Sequence, residues 1–209
     1  MKIYQCIWLF LAVSGIPAIK AATTVNIAWY NDNTTGTEFK DHSGILLTAG
    51  TSLMGDGAVL QLGYYTGATL ADPFVGTWVA LTGPGTGLTS TIGDFYPYQN
   101  GIFSFGNKFQ SDSPNVPAIG TPLAIRFYDT TSLATANYFN CVSKTNGSWN
   151  WTLGTPEPTV TLDFKATPQA LVWQDGADSA FRTTIAIPEP SAALLAACGA
   201  LLAFRRRRA

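Results

Sequence analysis

Thr159-Val160-Thr161-Leu162-Asp163-Phe164 places Val160, Leu162 and Phe164 on one side of an extended chain and Thr159, Thr161 and Asp163 on the other. Successive side chains of a strand point to opposite faces, so this strict alternation predicts a half-buried β-strand with Val160, Leu162 and Phe164 inward. Runs of the same character recur outward in both directions. Upstream they are Val25–Tyr30, Ile45–Thr48, Ala58–Tyr65, Phe74–Leu81, Ile102–Phe109, Leu123–Asp129, Tyr138–Ser143 and Trp149–Leu153; downstream they are Ala170–Gln174 and Phe181–Ile187. They are rich in Val, Ile, Thr, Tyr, Phe and Trp, which suit a pleated surface. Turn chemistry separates them at Gly83-Pro84-Gly85-Thr86-Gly87, Asn100-Gly101, Asn146-Gly147 and Asp175-Gly176. No stretch of ten residues within 22–187 carries a 3.6-residue period. The expectation is an all-β domain over 22–186, an antiparallel β-sandwich or jelly roll. A chain of that size buries enough surface for one core without cross-links.

Charge and cysteine content narrow the function. Charged residues make up 12% of the 209-residue chain, about half the usual share. Between residues 22 and 187, six Lys and Arg face twelve Asp and Glu, a net charge of −6. That leaves no basic face for nucleic acid. With one histidine, and with Cys141 the one cysteine between residues 22 and 187, neither a zinc-type ligand set nor an intramolecular disulfide within that stretch is expected.

The two ends carry addresses. Met1-Lys2, an apolar run from Ile3 to Ile19 and the small residues Ala21 and Ala22 form the pattern of a secretory signal peptide over 1–21. Cleavage is expected after Ala21, with Ala22 the alternative. At the other end stand Pro188-Glu189-Pro190, then the uncharged apolar stretch Ser191 to Phe204, then Arg205, Arg206, Arg207 and Arg208. As a helix, that stretch of 14 residues is about 21 Å long, shorter than the roughly 30 Å hydrocarbon core. Four abutting arginines cannot enter a protein core. They suit retention on the cytoplasmic side of a short transmembrane helix, with the main domain outside.

These terminal residues, 187–209, resemble the PEP-CTERM sorting signal of Gram-negative bacteria. The resemblance implies a fate rather than an activity. The Sec machinery and signal peptidase export the chain, and the helix anchors a precursor in the inner membrane. Exosortase, a membrane-embedded transpeptidase, recognises the Pro-Glu-Pro element and passes the product to the cell surface or the extracellular exopolysaccharide matrix. The internal Pro156-Glu157-Pro158 is followed by polar Thr159 and lacks the helix and the arginines, so it does not carry the signal. The runs 58–65, 122–129 and 149–151 are similar to a layout recurring in exported proteins of this kind.

Chemistry-bearing residues in the middle read as structural, and no cofactor or metal is expected. His42, in Phe39-Lys40-Asp41-His42-Ser43-Gly44, reads as an exposed turn residue, and Cys141 as a small buried strand residue. Asn31-Asp32-Asn33-Thr34-Thr35-Gly36-Thr37-Glu38 is oxygen-rich, but Thr37 and Ser43 stand where an EF-hand starting at Asp32 needs Gly and Glu. A looser calcium loop there stays open. The expected role is structural or interactive, not enzymatic. Two alternatives have stated signatures. A carbohydrate-binding module would expose a coplanar pair among Trp29, Tyr30, Tyr64, Tyr65, Trp78, Tyr96, Tyr98, Trp149, Trp151 and Trp173. A β-sandwich hydrolase would bring two acids together in a cleft.

Overall fold

The computed structural model describes residues 23–31, 37–50, 57–81, 99–111, 115–153, 158–165 and 167–187. Among the described residues nine strands run β1 (Thr24–Tyr30), β2 (Leu60–Tyr65), β3 (Trp78–Ala80), β4 (Ser104–Gln110), β5 (Ala124–Tyr128), β6 (Tyr138–Lys144), β7 (Thr159–Asp163), β8 (Leu171–Trp173) and β9 (Ile185–Ala186). Helical structure among the described residues is confined to three-residue 3-10 turns at Leu133–Thr135, Pro168–Ala170 and Ala177–Ser179.

The strands form two sheets, one ordered β4-β1-β7 and the other β3-β2-β5-β6-β8, with β9 also on β6. One apolar core joins them. Val25, Ile27 and Trp29 of β1 and Val160 and Leu162 of β7 meet Leu60 and Leu62 of β2, Ile125 and Phe127 of β5, Val142 of β6 and Trp173 of β8. The alternation in 159–164 is borne out: Val160, Leu162 and Phe164 are 4%, 0% and 1% exposed. β1 obeys the same rule, with every second residue buried. The domain is an all-β, two-sheet sandwich.

Three sequence expectations are corrected. The six-stranded sheet is antiparallel throughout, but β7 runs parallel to β1, Asn26 opposite Thr159 and Tyr30 opposite Asp163. β7 does not fold back on β6 as a hairpin. It crosses to the other sheet after a 14-residue connection, and its parallel partner β1 lies far upstream in sequence, so no tight turn has to join the pair. Ile45–Thr48 is not a strand. The Asp41 carboxylate accepts from the backbone of Ser43 and Ile45, curling the chain into a turn. Only one isolated bridge follows, Lys40 to Leu46, and Ile45 is left 67% exposed. Trp149–Leu153 likewise makes one bridge, Asn150 to Pro122, although both of its indoles are fully buried. Backbone bonds flank that bridge on both sides, from the Trp151 N–H to the Thr121 carbonyl at 2.8 Å and from the Leu123 N–H to the Trp149 carbonyl at 2.9 Å, but turns closed by Asn150 on Gly147 and by Thr121 on Ala118 keep the pairing short.

Lys144, at the end of β6, is 1% exposed. Its Nζ donates to the Asp163 carbonyl at 2.5 Å and lies 5.2 Å from the centre of the Trp149 ring. Burial pushes its pKa down, against the opposing pull of nearby Asp163. The unfolded chain therefore binds more protons than the folded one between the lowered value and about 10.4. Stability gains as pH rises through that window, and the cost of the buried charge is fully present below it. Lys144→Met fills the same space without charge. The stability of Lys144→Met minus that of wild type should be largest at pH 7 and shrink as pH approaches 10. Urea titrations across that range check this, and a difference that grows with pH would count against a desolvated ammonium.

Candidate functional site

The outward face of the six-stranded sheet gathers the groups with chemical potential. β5 turns Ile125 and Phe127 into the core, so Ala124, Arg126 and Tyr128 face the other way. The antiparallel registers then set Arg126 beside Gln61 of β2 and Cys141 of β6, and Tyr65 beside Trp78. A second apolar cluster grows there from Tyr65, Ala124 and Cys141, with Ala68, Phe74 and Trp78 packed against it.

Arg126 is its centre. The guanidinium carbon lies 4.4 Å from the Trp78 ring centre, 4.5 Å from that of Phe139 and 5.5 Å from that of Tyr65. Its Nη2 donates to the Tyr65 hydroxyl at 2.6 Å, which in turn donates to Gln174 Oε1 at 2.6 Å. Cation–π contacts and one fixed hydrogen bond hold the guanidinium plane in a single orientation. Two donors in this cluster, Arg126 Nε and Trp78 Nε1, are buried without an acceptor. The ionisable groups facing Arg126 are Cys141, Tyr128 and Tyr65. These are a thiol and two phenols. Burial pushes the Cys141 thiol up to about 12 and raises the Tyr65 phenol. The cation thus has no ionised neighbour among them at neutral pH.

Gly63 forms the floor. A Cβ there would meet the Val79 carbonyl oxygen and come within 2.7 Å of the Trp78 six-membered ring. Only the absence of a side chain lets the indole come this close to β2.

The sequence-stated candidates distribute otherwise. Ala21 and Ala22, Pro188, Glu189 and Pro190, and Arg205, Arg206, Arg207 and Arg208 lie outside the described residues. So do the Gly83–Gly87 loop and residues 32–36 of the oxygen-rich segment. Asn31, which opens that segment, is fully buried and spends its side chain inside the protein. Among the described residues no three His, Cys, Asp or Glu side chains gather for a metal. His42 is an exposed turn residue, as read, stacked on Tyr138 at 4.2 Å. Cys141 is buried and unpaired. Trp29, Trp149, Trp151 and Trp173 belong to the core, so they offer no face to a sugar. The carboxylates of Asp41, Asp72, Asp129 and Asp163 each accept backbone N–H groups of their own turns.

The Arg126 cluster was not anticipated from sequence. The available signal was Arg126 itself, one of two arginines between residues 22 and 187, placed mid-strand opposite Ile125 and Phe127. No family model, curated protein or solved structure matches the chain.

Proposed function

We propose that the protein is an exosortase substrate with a structural or interaction role at the cell surface or in an exopolysaccharide matrix. In this reading residues 1–21 are the signal peptide, and 187–209 form the sorting signal with a short transmembrane helix and a cytoplasmic arginine tail. The order Pro-Glu-Pro, apolar stretch and four arginines carries it. The placement of β9 supports it. Ala186 pairs with Tyr138, and the Ile187 N–H donates to the Asn137 carbonyl at 2.8 Å, so ordered pairing runs up to the residue before Pro188. Pro188 has no N–H to extend a ladder. Pro158 of the internal tripeptide differs, since its carbonyl accepts the Asn26 N–H at 2.9 Å and belongs to the sheet.

Replacing Pro188, Glu189 and Pro190 with alanine should leave the helix inserted and block sorting, so that a longer precursor accumulates in the inner membrane. Changing Arg205, Arg206, Arg207 and Arg208 to Glu should lose the anchoring topology. Cell fractionation with mass spectrometry of the termini reads both. If the triple-alanine variant is processed and reaches the surface as wild type does, the sorting reading fails.

A further inference from the structure

We infer that the Arg126 slot is a binding site for a saccharide bearing a single carboxylate. The inference rests on the reading of an exported protein in contact with exopolysaccharide. Three observations lead to it. First, Arg126 is a half-buried cation whose facing groups are neutral. A charge taken out of water in that setting is costly until an anion joins it. Second, Arg126 Nε and Trp78 Nε1 both lack an acceptor, and they belong to side chains stacked on one another. Buried polar groups are nearly always partnered, so two unpartnered donors in one stack point to an oxygen that arrives from outside. Third, the guanidinium plane is fixed in advance by Phe139 and by the Tyr65 hydroxyl, neither of which has to move, which lowers the ordering cost of a ligand.

The charge of the domain selects among carboxylates. With −6 over residues 22–187, a densely charged polyanion such as a nucleic acid or an acidic peptide is repelled. A ligand with one carboxylate amid neutral hydroxyl groups is not. An acidic sugar residue in an otherwise neutral saccharide has that form. Its ring can rest against the aromatic walls while the carboxylate meets Arg126.

Both unpartnered donors are sealed from water, so the ligand enters as Trp78 moves outward. β3 suits that movement. It is three residues long and ends the sheet, paired to β2, and the Gly63 floor presents no side chain to obstruct the indole.

The test uses the full chain in detergent with methyl glucuronide and methyl glucoside, which differ only in the carboxylate, and with N-acetylglutamate. Affinity is read by calorimetry, and the indole N–H signals by nuclear magnetic resonance. Methyl glucuronide should bind and shift one indole N–H, while methyl glucoside and N-acetylglutamate bind at least tenfold more weakly. Arg126→Lys should weaken binding at least tenfold. Trp78→Phe keeps an aromatic wall but removes the donor, and should weaken it several-fold and abolish the shifted signal. Equal binding of the glucoside, equal binding of N-acetylglutamate, or no binding of the glucuronide by a folded wild-type chain each overturns the proposal. Sorting is read in cells from the terminal variants, so failure of the slot and failure of the sorting reading are separate results.

Discussion

Phe39→Ala should lower the unfolding free energy by about 3–5 kcal/mol, the range for emptying a buried aromatic position. Phe39 is fully buried yet lies in no strand. Its ring stacks on Phe127 at 4.2 Å and meets Phe103, Phe164, Trp173 and Phe181 at 5.3 to 6.4 Å between ring centres. Phe127 and Trp173 belong to the six-stranded sheet, and Phe164 directly follows β7 of the other, so one side chain bridges both layers. The backbone cannot collapse into the space left behind. The Phe39 N–H donates to the Gly101 carbonyl, and the Phe39 carbonyl accepts from Leu47, both at 2.9 Å. Urea denaturation of the purified chain gives the value, and a loss below about 1 kcal/mol would show that the core repacks around the deletion.

Phe39 also marks where sequence reading stops. It sits among Glu38, Lys40, Asp41 and His42, and a window of that polarity reads as a turn. The turn is there, but one ring dips from it into the core, and no period announces a single inward residue. Where alternation runs for six or seven residues the reading holds, as in β1 and β7, because a register slip of one residue would expose the whole apolar set. Direction is not encoded that way. Val160, Leu162 and Phe164 face the core whether β7 runs parallel or antiparallel to β1, so the parallel pairing was invisible. Trp149 and Trp151, two residues apart, are both buried, while the pairing that would make a strand is a single bridge hemmed by turns at Gly147–Asn150 and Ala118–Thr121. The Arg126 cluster was hidden for a different reason. Alternation in Ala124-Ile125-Arg126-Phe127-Tyr128 says that Arg126 opposes the core, and the ordinary inference is solvent. Here the outward face has its own cover, from Phe139 on the neighbouring β6 and from Trp78 on β3, distant in sequence.

Asn31→Asp should make stability depend on pH in a way the wild-type residue does not. Asn31 is fully buried. Its Nδ2 donates to the carbonyls of Thr37 and Gly101 at 2.8 and 2.7 Å, and its Oδ1 accepts the Phe103 N–H at 2.9 Å. The Thr37 hydroxyl donates back to the Asn31 carbonyl at 2.9 Å, so the residue ties Thr37 and the entry to β4 to the end of β1. Aspartate keeps the shape and loses both donors. An ionised carboxylate would face two carbonyl oxygens without water, so the folded state favours the protonated acid, whose single O–H restores one of the two bonds. The folded pKa then lies above the unfolded value of about 3.9, and the folded chain holds the extra proton between the two. The stability of the variant is therefore greatest below about pH 4 and falls as pH rises to the folded pKa, beyond which the loss is complete. At pH 7 the loss should reach about 2–5 kcal/mol, from an unpaired charge and two stranded carbonyls. Denaturation of both proteins from pH 4 to 8 measures it. A variant within about 0.5 kcal/mol of wild type at pH 7 would mean that water reaches Asn31, and that the junction of β1 with the 99–103 segment is held by packing and by the Asn31 N–H on the Phe103 carbonyl.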